Sequence, residues 1–294
     1  MIRRKTKITY LDLIIGLIII AFGVYVVYKV KVDLNYHWNW AAVPQYLFRY
    51  DEEADRWVMN LLMLGLKTTI TLSLWSVILA TIIGSVLGVF RISSDLFKRL
   101  LGGTYVEIIR NTPPLVIVFI FYYFISDQIM PVLGVDDFIR ARSDGFKYVL
   151  EIFSTEPYLF TQFLSAVITI ALFEGAVITE IVRAGLQSIE RGQWEASYAL
   201  GFTWWQQMRH IILPQAFQRI LPPLAGEFIN TVKNSAIVSV ISVQDLTFQS
   251  QSIINSSRMT FEICLVMAGL YLIVCLILSL GVSRLENYTR NRLA

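Results

Sequence analysis

The chain contains several uninterrupted apolar stretches, each about as long as the hydrocarbon core of a lipid bilayer is thick. The clearest are residues 11–30, 69–90 and 261–282. A membrane-spanning helix needs about 20 such residues. With 55% hydrophobic and 16% charged residues, and a mean hydropathy of +0.58, the 294-residue chain is too apolar for a soluble domain. The sequence therefore predicts an all-α integral membrane protein.

We predict about six transmembrane helices, because three further segments extend the pattern, at about 107–130, 158–181 and 220–243. The last of these is polar, and its hydropathy alone would reject it. The basic residues decide the count, since they prefer the cytoplasmic side. They precede the first span and follow the last one: Arg3, Arg4, Lys5, Lys7, Arg284, Arg290 and Arg292. If 220–243 did not cross, the basic tail would lie outside, so both termini are expected in the cytoplasm.

The chain divides into three predicted parts. Residues 1–64 form an N-terminal anchor helix plus an outer interfacial loop, residues 65–283 the membrane domain, and residues 284–294 a basic cytoplasmic tail. The first apolar run is too long for a signal peptide and lacks a clear cleavage site. Residues 31–60 are rich in tryptophan and tyrosine, which favour the membrane–water interface.

Composition argues against several other kinds of function. Cys264 and Cys275 lie in one apolar segment without metal or redox spacing, and His37 and His210 are far apart. We therefore expect no metal site, no catalytic triad and no bound cofactor. The net charge is +3 without a basic block, so no nucleic acid partner is expected.

Several local patterns predict contacts and turns. Gly84 and Gly88 form a small-xxx-small pattern that lets another helix approach closely. Glu180 and Arg183, spaced i,i+3, are expected to pair.

Pro131 is predicted to stop the third span in chain order, which ends at about residue 130. The outer segment 131–156 follows, with Gly134 and Gly145 as turn residues.

A polar segment between two apolar ones carries the most specific motif. Residues 195–201 read Glu-Ala-Ser-Tyr-Ala-Leu-Gly, and residues 211–214 read Ile-Ile-Leu-Pro. We expect a short helix with Glu195 in its first turn, a turn at Gly201, and a second helical run from Trp204 that Pro214 ends. A helix–glycine–helix elbow at a membrane surface is suited to being gripped by a soluble partner.

Polar residues inside the predicted spans form a second candidate site. Glu227, Asn230 and Asn234 share one helix face, and Lys233 lies beside it, where it could pair with an acid on a neighbouring helix. Glu174 is the most isolated acid. Such groups could line a pathway for a zwitterion, or they could be internally paired structural groups. Both interpretations stay open at this stage.

The elbow resembles the EAA loop of permease subunits of bacterial ABC importers. That pattern is Glu-Ala-Ala, three residues, Gly, nine residues, Ile-x-Leu-Pro. Glu195, Ala196, Gly201, Ile211, Leu213 and Pro214 match it, and Ser197 replaces the second alanine. Three more segments resemble the polar amino-acid branch, the histidine/glutamine/glutamate-type permeases: 107–114, 176–192 and 234–246. Pro114, Val177 and Glu174 depart from what that branch commonly has.

The resemblance implies a type I ABC-importer permease fold in the bacterial inner (cytoplasmic) membrane, with 65–283 as the transmembrane type-1 domain. It implies a non-enzymatic subunit that forms the translocation pathway for a polar amino acid. The implied partners are a cytoplasmic ABC ATPase dimer, a second permease subunit that is identical or homologous, an extracytoplasmic amino-acid-binding protein and the lipid bilayer. The matching elbow residues would couple to the ATPase. The sequence has no GxxxxGK[S/T] phosphate loop.

Two other classes remain possible from the sequence. An ion-coupled secondary transporter would need no ATPase, but it often shows inverted repeats, and none is visible here. A membrane scaffold or receptor would leave the polar residues of the spans without a substrate-related purpose. Neither class explains the elbow motif.

Overall fold

A computed structural model describes residues 10–33, 36–53 and 55–291 of the chain. Of the basic residues used above to orient the spans, Arg3, Arg4, Lys5, Lys7 and Arg292 lie outside the described residues. The chain divides into two compact units, with the boundary between Trp40 and Ala41. The sequence-based division at 64/65 and 283/284 stays a prediction.

The first unit is built around one apolar helix, α1 (Tyr10–Asp33), whose described side chains are almost all exposed. Within it, Leu13–Tyr25 is an apolar helical stretch. Beyond the helix, the rings of Trp38 and Trp40 stack with their centroids 5.9 Å apart.

The second unit begins with a small hairpin and continues as helices, which we name in chain order. The elements are α2 (Val43–Leu47), β1 (Phe48–Asp51), β2 (Arg56–Met59), α3 (Leu61–Arg91), α4 (Leu96–Asn111), α5 (Pro114–Phe124), α6 (Met130–Leu133), α7 (Val135–Arg140), α8 (Asp144–Phe153), α9 (Phe160–Gln187), α10 (Arg191–Ala199), α11 (Trp204–Gln207), α12 (Leu213–Asn234), α13 (Leu246–Ser257) and α14 (Thr260–Asn291). The antiparallel hairpin β1–β2 falls where the sequence predicted only an interfacial loop.

Within the described ranges, four helical segments are long and apolar enough to cross a membrane. They are Leu61–Arg91, Pro114–Leu133, Pro157–Gln187 and Thr260–Arg284. These agree with four of the predicted spans, and the count of six stays a prediction.

The bundle is centred on α3 and α9, which run in the same direction. A Cβ added to Gly84 would lie 2.6 Å from Ile178 Cγ2, and one added to Gly88 would lie 2.7 Å from the Cβ of Val182. The predicted close approach at these glycines is confirmed. Because both contacts advance by four residues on each helix, the two helices are parallel neighbours.

The predicted fifth span, 220–243, belongs to a broken helix. The helix α12 runs antiparallel to α9, because Ile220 lies beside Gly185 and Asn234 lies beside Glu174. A 3₁₀ helix, Ser235–Ile241, follows, and the chain then turns at Ser242, which has φ +62°. Asp245 accepts a hydrogen bond from the Phe248 amide (2.8 Å) and so caps α13, which continues along α3.

Pro131 and Pro214, which the sequence predicts to stop helices, do not end them. Pro131 lies in α6, and Pro214 is the second residue of α12. A π-helical turn precedes each of them, Ile125–Ile129 and Met208–Ile212. The wider turn accommodates a residue that has no backbone N–H to donate, so the chain stays helical. The third span ends instead at Gly134, which is left-handed with φ +62°, whereas Gly145 lies inside α8.

Candidate functional site

The elbow is a helix–turn–helix whose turn depends on Gly201. The amide of Gly201 donates to the Tyr198 carbonyl (2.9 Å) and the amide of Phe202 donates to the Ser197 carbonyl (3.2 Å). This pair of bonds is a Schellman motif, and it requires a left-handed residue after the helix. Gly201 has φ +79°. The predicted glycine turn is confirmed.

The first helix of the elbow, α10, begins earlier than predicted, and the second, α11, is capped at its start. Glu195 is the fifth residue of α10, which begins at Arg191, so the prediction that it lies in the first turn was wrong. At α11, Thr203 and Gln206 form a capping box, in which the Thr203 amide donates to the Gln206 side chain (2.8 Å). The two helices are therefore held at a fixed angle around a short turn.

The elbow packs onto the bundle on one side and exposes apolar residues on the other. Met208 and Ile212 are fully buried and pack with Leu186 and Ile189 at the end of α9. Ser197 is buried as well, and its hydroxyl donates to the Trp194 carbonyl (2.8 Å). The exposed side carries the residues Glu195, Ala196, Tyr198, Leu200, Trp204 and Trp205. Ile211, Leu213 and Pro214 follow on the helix that leaves the elbow, at half-buried or exposed positions.

An ion cluster lies where α3 and α9 end, next to the elbow. Glu180 accepts two hydrogen bonds from Arg183, from Nε (2.9 Å) and from Nη2 (2.7 Å). The predicted pair is therefore confirmed. The other carboxylate oxygen of Glu180, Oε1, lies 3.2 Å from Nη1 of Arg91. From the sequence, Arg91 is predicted only to end a span, because nothing local links it to residue 180.

Halfway along α9 the structure brings together the predicted polar residues of two helices. Glu174 is fully buried, and its Oε1 accepts a hydrogen bond from Asn234 Nδ2 (3.0 Å). The carboxyl of Glu227 lies next to that of Glu174, and Asn230 Nδ2 donates to Glu227 Oε2 (3.3 Å). The interpretation of Glu174 as the most isolated acid was wrong, since its partner comes from another helix.

Lys233 does not join this cluster. It is exposed and lines a cavity of about 370 Å³ together with Asn234, Phe173 and Pro114. Among the described residues, no ion pair to Lys233 is found, so the predicted pairing with an acid of a neighbouring helix is not seen.

Sequence reasoning missed a further buried polar residue, Asp245. In addition to capping α13, it accepts a hydrogen bond from Tyr271 of α14 (3.4 Å), and the next amide, of Leu246, donates to Thr69 of α3 (3.0 Å). An aspartate directly before an apolar run is a helix-cap signal that could have located the break.

Comparisons with known proteins agree with this arrangement of helices and elbow. The family model of the binding-protein-dependent transport system inner membrane component matches residues 80–290. A probable glutamine ABC transporter permease protein, GlnM of Bacillus subtilis, is 36% identical over 70% of this chain and 82% of the relative. The glutamate/aspartate import permease protein GltJ of Escherichia coli is 30% identical over 87% of this chain and 97% of the relative.

A solved structure gives the same result for the fold. The crystal structure of an amino acid ABC transporter with histidines superimposes with a TM-score of 0.61 at 31% identity, covering 78% of this chain and 94% of that one. The fold is thus that of a type I ABC-importer permease, a membrane-spanning subunit. The chain belongs to the family of binding-protein-dependent transport system inner membrane components, and it is a permease of the inner membrane.

Proposed function

We propose that this chain forms the pathway for a polar amino acid in an ATP-driven importer, and that the elbow couples the pathway to a cytoplasmic ATPase. The observation that carries the proposal is a helical connection. From Trp204 the chain stays helical, through the π-helical turn and α12, to Asn234. A force applied to the elbow would therefore reach the polar cluster around Glu174 along one continuous helical segment, which contains Pro222 and Pro223.

The exposed side of the elbow supports a protein partner there. Tyr198, Leu200, Trp204 and Trp205 are all at least half exposed, although they are large and apolar. Patches that combine aromatic residues with a polar rim are typical of protein–protein contacts. Glu195, Ala196, Ser197, Gly201, Ile211, Leu213 and Pro214 are the residues that we assign to coupling.

The partners follow from the type of transporter. Each of two cytoplasmic ATPase subunits would grip one elbow, and ATP would be hydrolysed there, since the GxxxxGK[S/T] phosphate loop does not occur in this sequence. A second permease subunit, identical or homologous, would complete the pathway, and an extracytoplasmic binding protein would deliver the amino acid. ATP-driven closure would then tilt the helices between outward-open and inward-open states.

For the pathway itself we propose Glu174, Glu227, Asn230, Lys233 and Asn234. Two adjacent carboxyl groups at membrane depth are costly unless a proton or a cation accompanies them. The α-ammonium group of an amino acid is such a cation, and Lys233 could meet the α-carboxylate at the neighbouring cavity. The relatives' names, glutamine and glutamate/aspartate, favour a polar amino acid without deciding which one.

The test separates coupling from folding. In Gly201→Val, a β-branched residue must adopt φ near +79°, which distorts the elbow but leaves the buried anchors Met208 and Ile212 in place. We expect the variant to reach the membrane folded, while ATP hydrolysis no longer drives uptake. The matched control is Gly192→Ala, in the same elbow, where an added Cβ meets open space. Normal uptake by Gly201→Val would show that the elbow is not the coupling element.

Co-purification distinguishes this function from the other classes. An ATPase that purifies with the wild-type complex and is lost with an altered elbow would exclude a secondary transporter and a scaffold. Retention of the ATPase by Gly201→Val, together with loss of coupled uptake, would mean that force transfer rather than binding depends on the turn.

A further inference from the structure

The helix α8 has an apolar side that the described part of the chain leaves largely exposed, and Phe146 at its margin contacts the ring of Phe138 (centroids 6.4 Å apart). None of its residues is buried, and five large apolar side chains on it are exposed: Phe146, Tyr148, Val149, Ile152 and Phe153. At 100° per residue these fall in one broad arc, while the charged residues Asp144, Lys147 and Glu151 fall in a narrow arc opposite. Asp144 and Lys147 also pair across that polar arc (3.7 Å). The helix is therefore strongly amphipathic and turns its apolar side away from the bundle.

The end of α8 is fixed to α3 by three side chains on successive turns. Lys67 donates to the carbonyl of Glu151, Thr71 to that of Ser154 (3.3 Å), and Trp75 to that of Phe153 (2.9 Å). The last carbonyls of a helix have no partner within the helix, and here α3 supplies donors for them. The position of α8 along the bundle is thus set by residues 67–75 of α3.

The length of α3 gives the depth of that attachment in the bilayer. Because charged groups are costly inside the apolar layer, we assign the ion cluster of Arg91, Glu180 and Arg183 to the edge of that layer next to the elbow. At 1.5 Å per residue, Trp75 lies about 24 Å from Arg91 along the helix axis, and Lys67 about 36 Å. A hydrocarbon core about 30 Å thick ends between them. The attachment site of α8 therefore straddles the far edge of the apolar layer, with an indole just inside and an ammonium group outside.

The side of α3 that holds α8 borders its exposed apolar stripe. Every fourth residue along this stripe is exposed, namely Ile70, Leu74, Ile78, Ile82 and Val86. Trp75 lies directly beside it. A tryptophan at this depth matches the usual aromatic belt at a membrane surface.

We propose that α8 is an interfacial helix that lies at the membrane surface on the side away from the elbow, with its apolar arc against the lipid acyl chains. Its partner is the lipid bilayer itself. The charged arc then faces the headgroups and water, as in other helices of this kind. The contact would fix the outer end of α3 relative to the membrane while the elbow end moves. The inference does not depend on which molecule is transported.

Spin labels on the two arcs test this proposal. Cys264 and Cys275 are first replaced by alanine, and the complete transporter is reconstituted into vesicles of phosphatidylethanolamine and phosphatidylglycerol. Labels are then placed by Val149→Cys and Ile152→Cys on the apolar arc. The matched controls are Asp144→Cys and Lys147→Cys on the polar arc. Collisions with oxygen, which concentrates in lipid, are compared with collisions with a water-soluble nickel chelate.

We expect a positive logarithm of the oxygen-to-nickel ratio at 149 and 152, and a negative one at 144 and 147. Two results would overturn the proposal. High nickel accessibility on both arcs would place the helix in water. Immobilised labels at 149 and 152, shielded from both reagents, would mean that a protein, such as the second permease or the binding protein, covers this arc.

Discussion

The side-chain amide of Asn234 donates a 3.0 Å hydrogen bond to the carboxylate of Glu174, sixty residues earlier in the chain. The bond joins α12 to α9 at the centre of the bundle, and both helices lead to the elbow at one end. Asn234 is also the last residue of α12, where the helix gives way to the 3₁₀ segment. The contact therefore lies at the point where a displacement of α12 would be passed to the rest of the bundle.

The first prediction concerns the stability of this contact. Asn234→Ala leaves the buried Glu174 carboxyl without its donor, and we expect a loss of about 1–3 kcal/mol in the free energy of unfolding. Glu174→Gln should cost less, because an amide oxygen still accepts the same bond. Thermal unfolding of the purified protein in detergent measures both. Equal stability of Asn234→Ala and wild type would contradict the structural role of the bond.

The same acid has a predicted effect on transport that is separate from folding. If Glu174 meets a cationic group of the substrate, Glu174→Gln should weaken uptake severalfold while assembly with the partner subunits stays normal. Uptake of a panel of labelled amino acids by the reconstituted importer is the measurement. Unchanged uptake kinetics would remove Glu174 from the pathway and leave it as a structural residue.

Another prediction follows from the close approach of α3 and α9. In Gly84→Ala the new methyl group would lie 2.6 Å from Ile178, so a helix must shift, at a cost of about 1–3 kcal/mol. Gly269→Ala in α14 is the matched control, because an added Cβ there meets nothing within 4 Å. Comparison of the two melting temperatures tests the packing. A Gly84→Ala protein as stable as the control would mean that the helices are farther apart.

In the ion cluster near the elbow, we expect substitutions of different members to cost different amounts of stability. Glu180→Gln leaves Arg91 and Arg183 facing each other without a counter-charge, whereas Arg91→Gln leaves the Glu180–Arg183 pair intact. We therefore expect the first substitution to destabilise the protein more than the second. Because the side chains are partly exposed, the difference should be about 1 kcal/mol and shrink at high salt. Equal melting temperatures of the two variants at low salt would argue against the shared acid.

The sequence by itself determined the features whose cause is local. Apolar runs of membrane length gave the four strongly apolar helices, and the spacing of Glu180 and Arg183 gave their ion pair. Gly201 can adopt the left-handed turn because glycine has no Cβ, whatever its neighbours are. Each of these depends on residues within one helix turn or one span, where chain geometry alone brings the groups together.

The tertiary structure decided what depends on distant neighbours. Pro131 and Pro214 did not stop their helices, because a π-helical turn before each one absorbs the missing hydrogen bond. Glu174 gained its partner from another helix, and beyond the break that follows Asn234 the Leu246 amide donates to Thr69 of α3. Side chains far apart in sequence come together only through the packing of whole helices, so no local pattern could reveal these contacts.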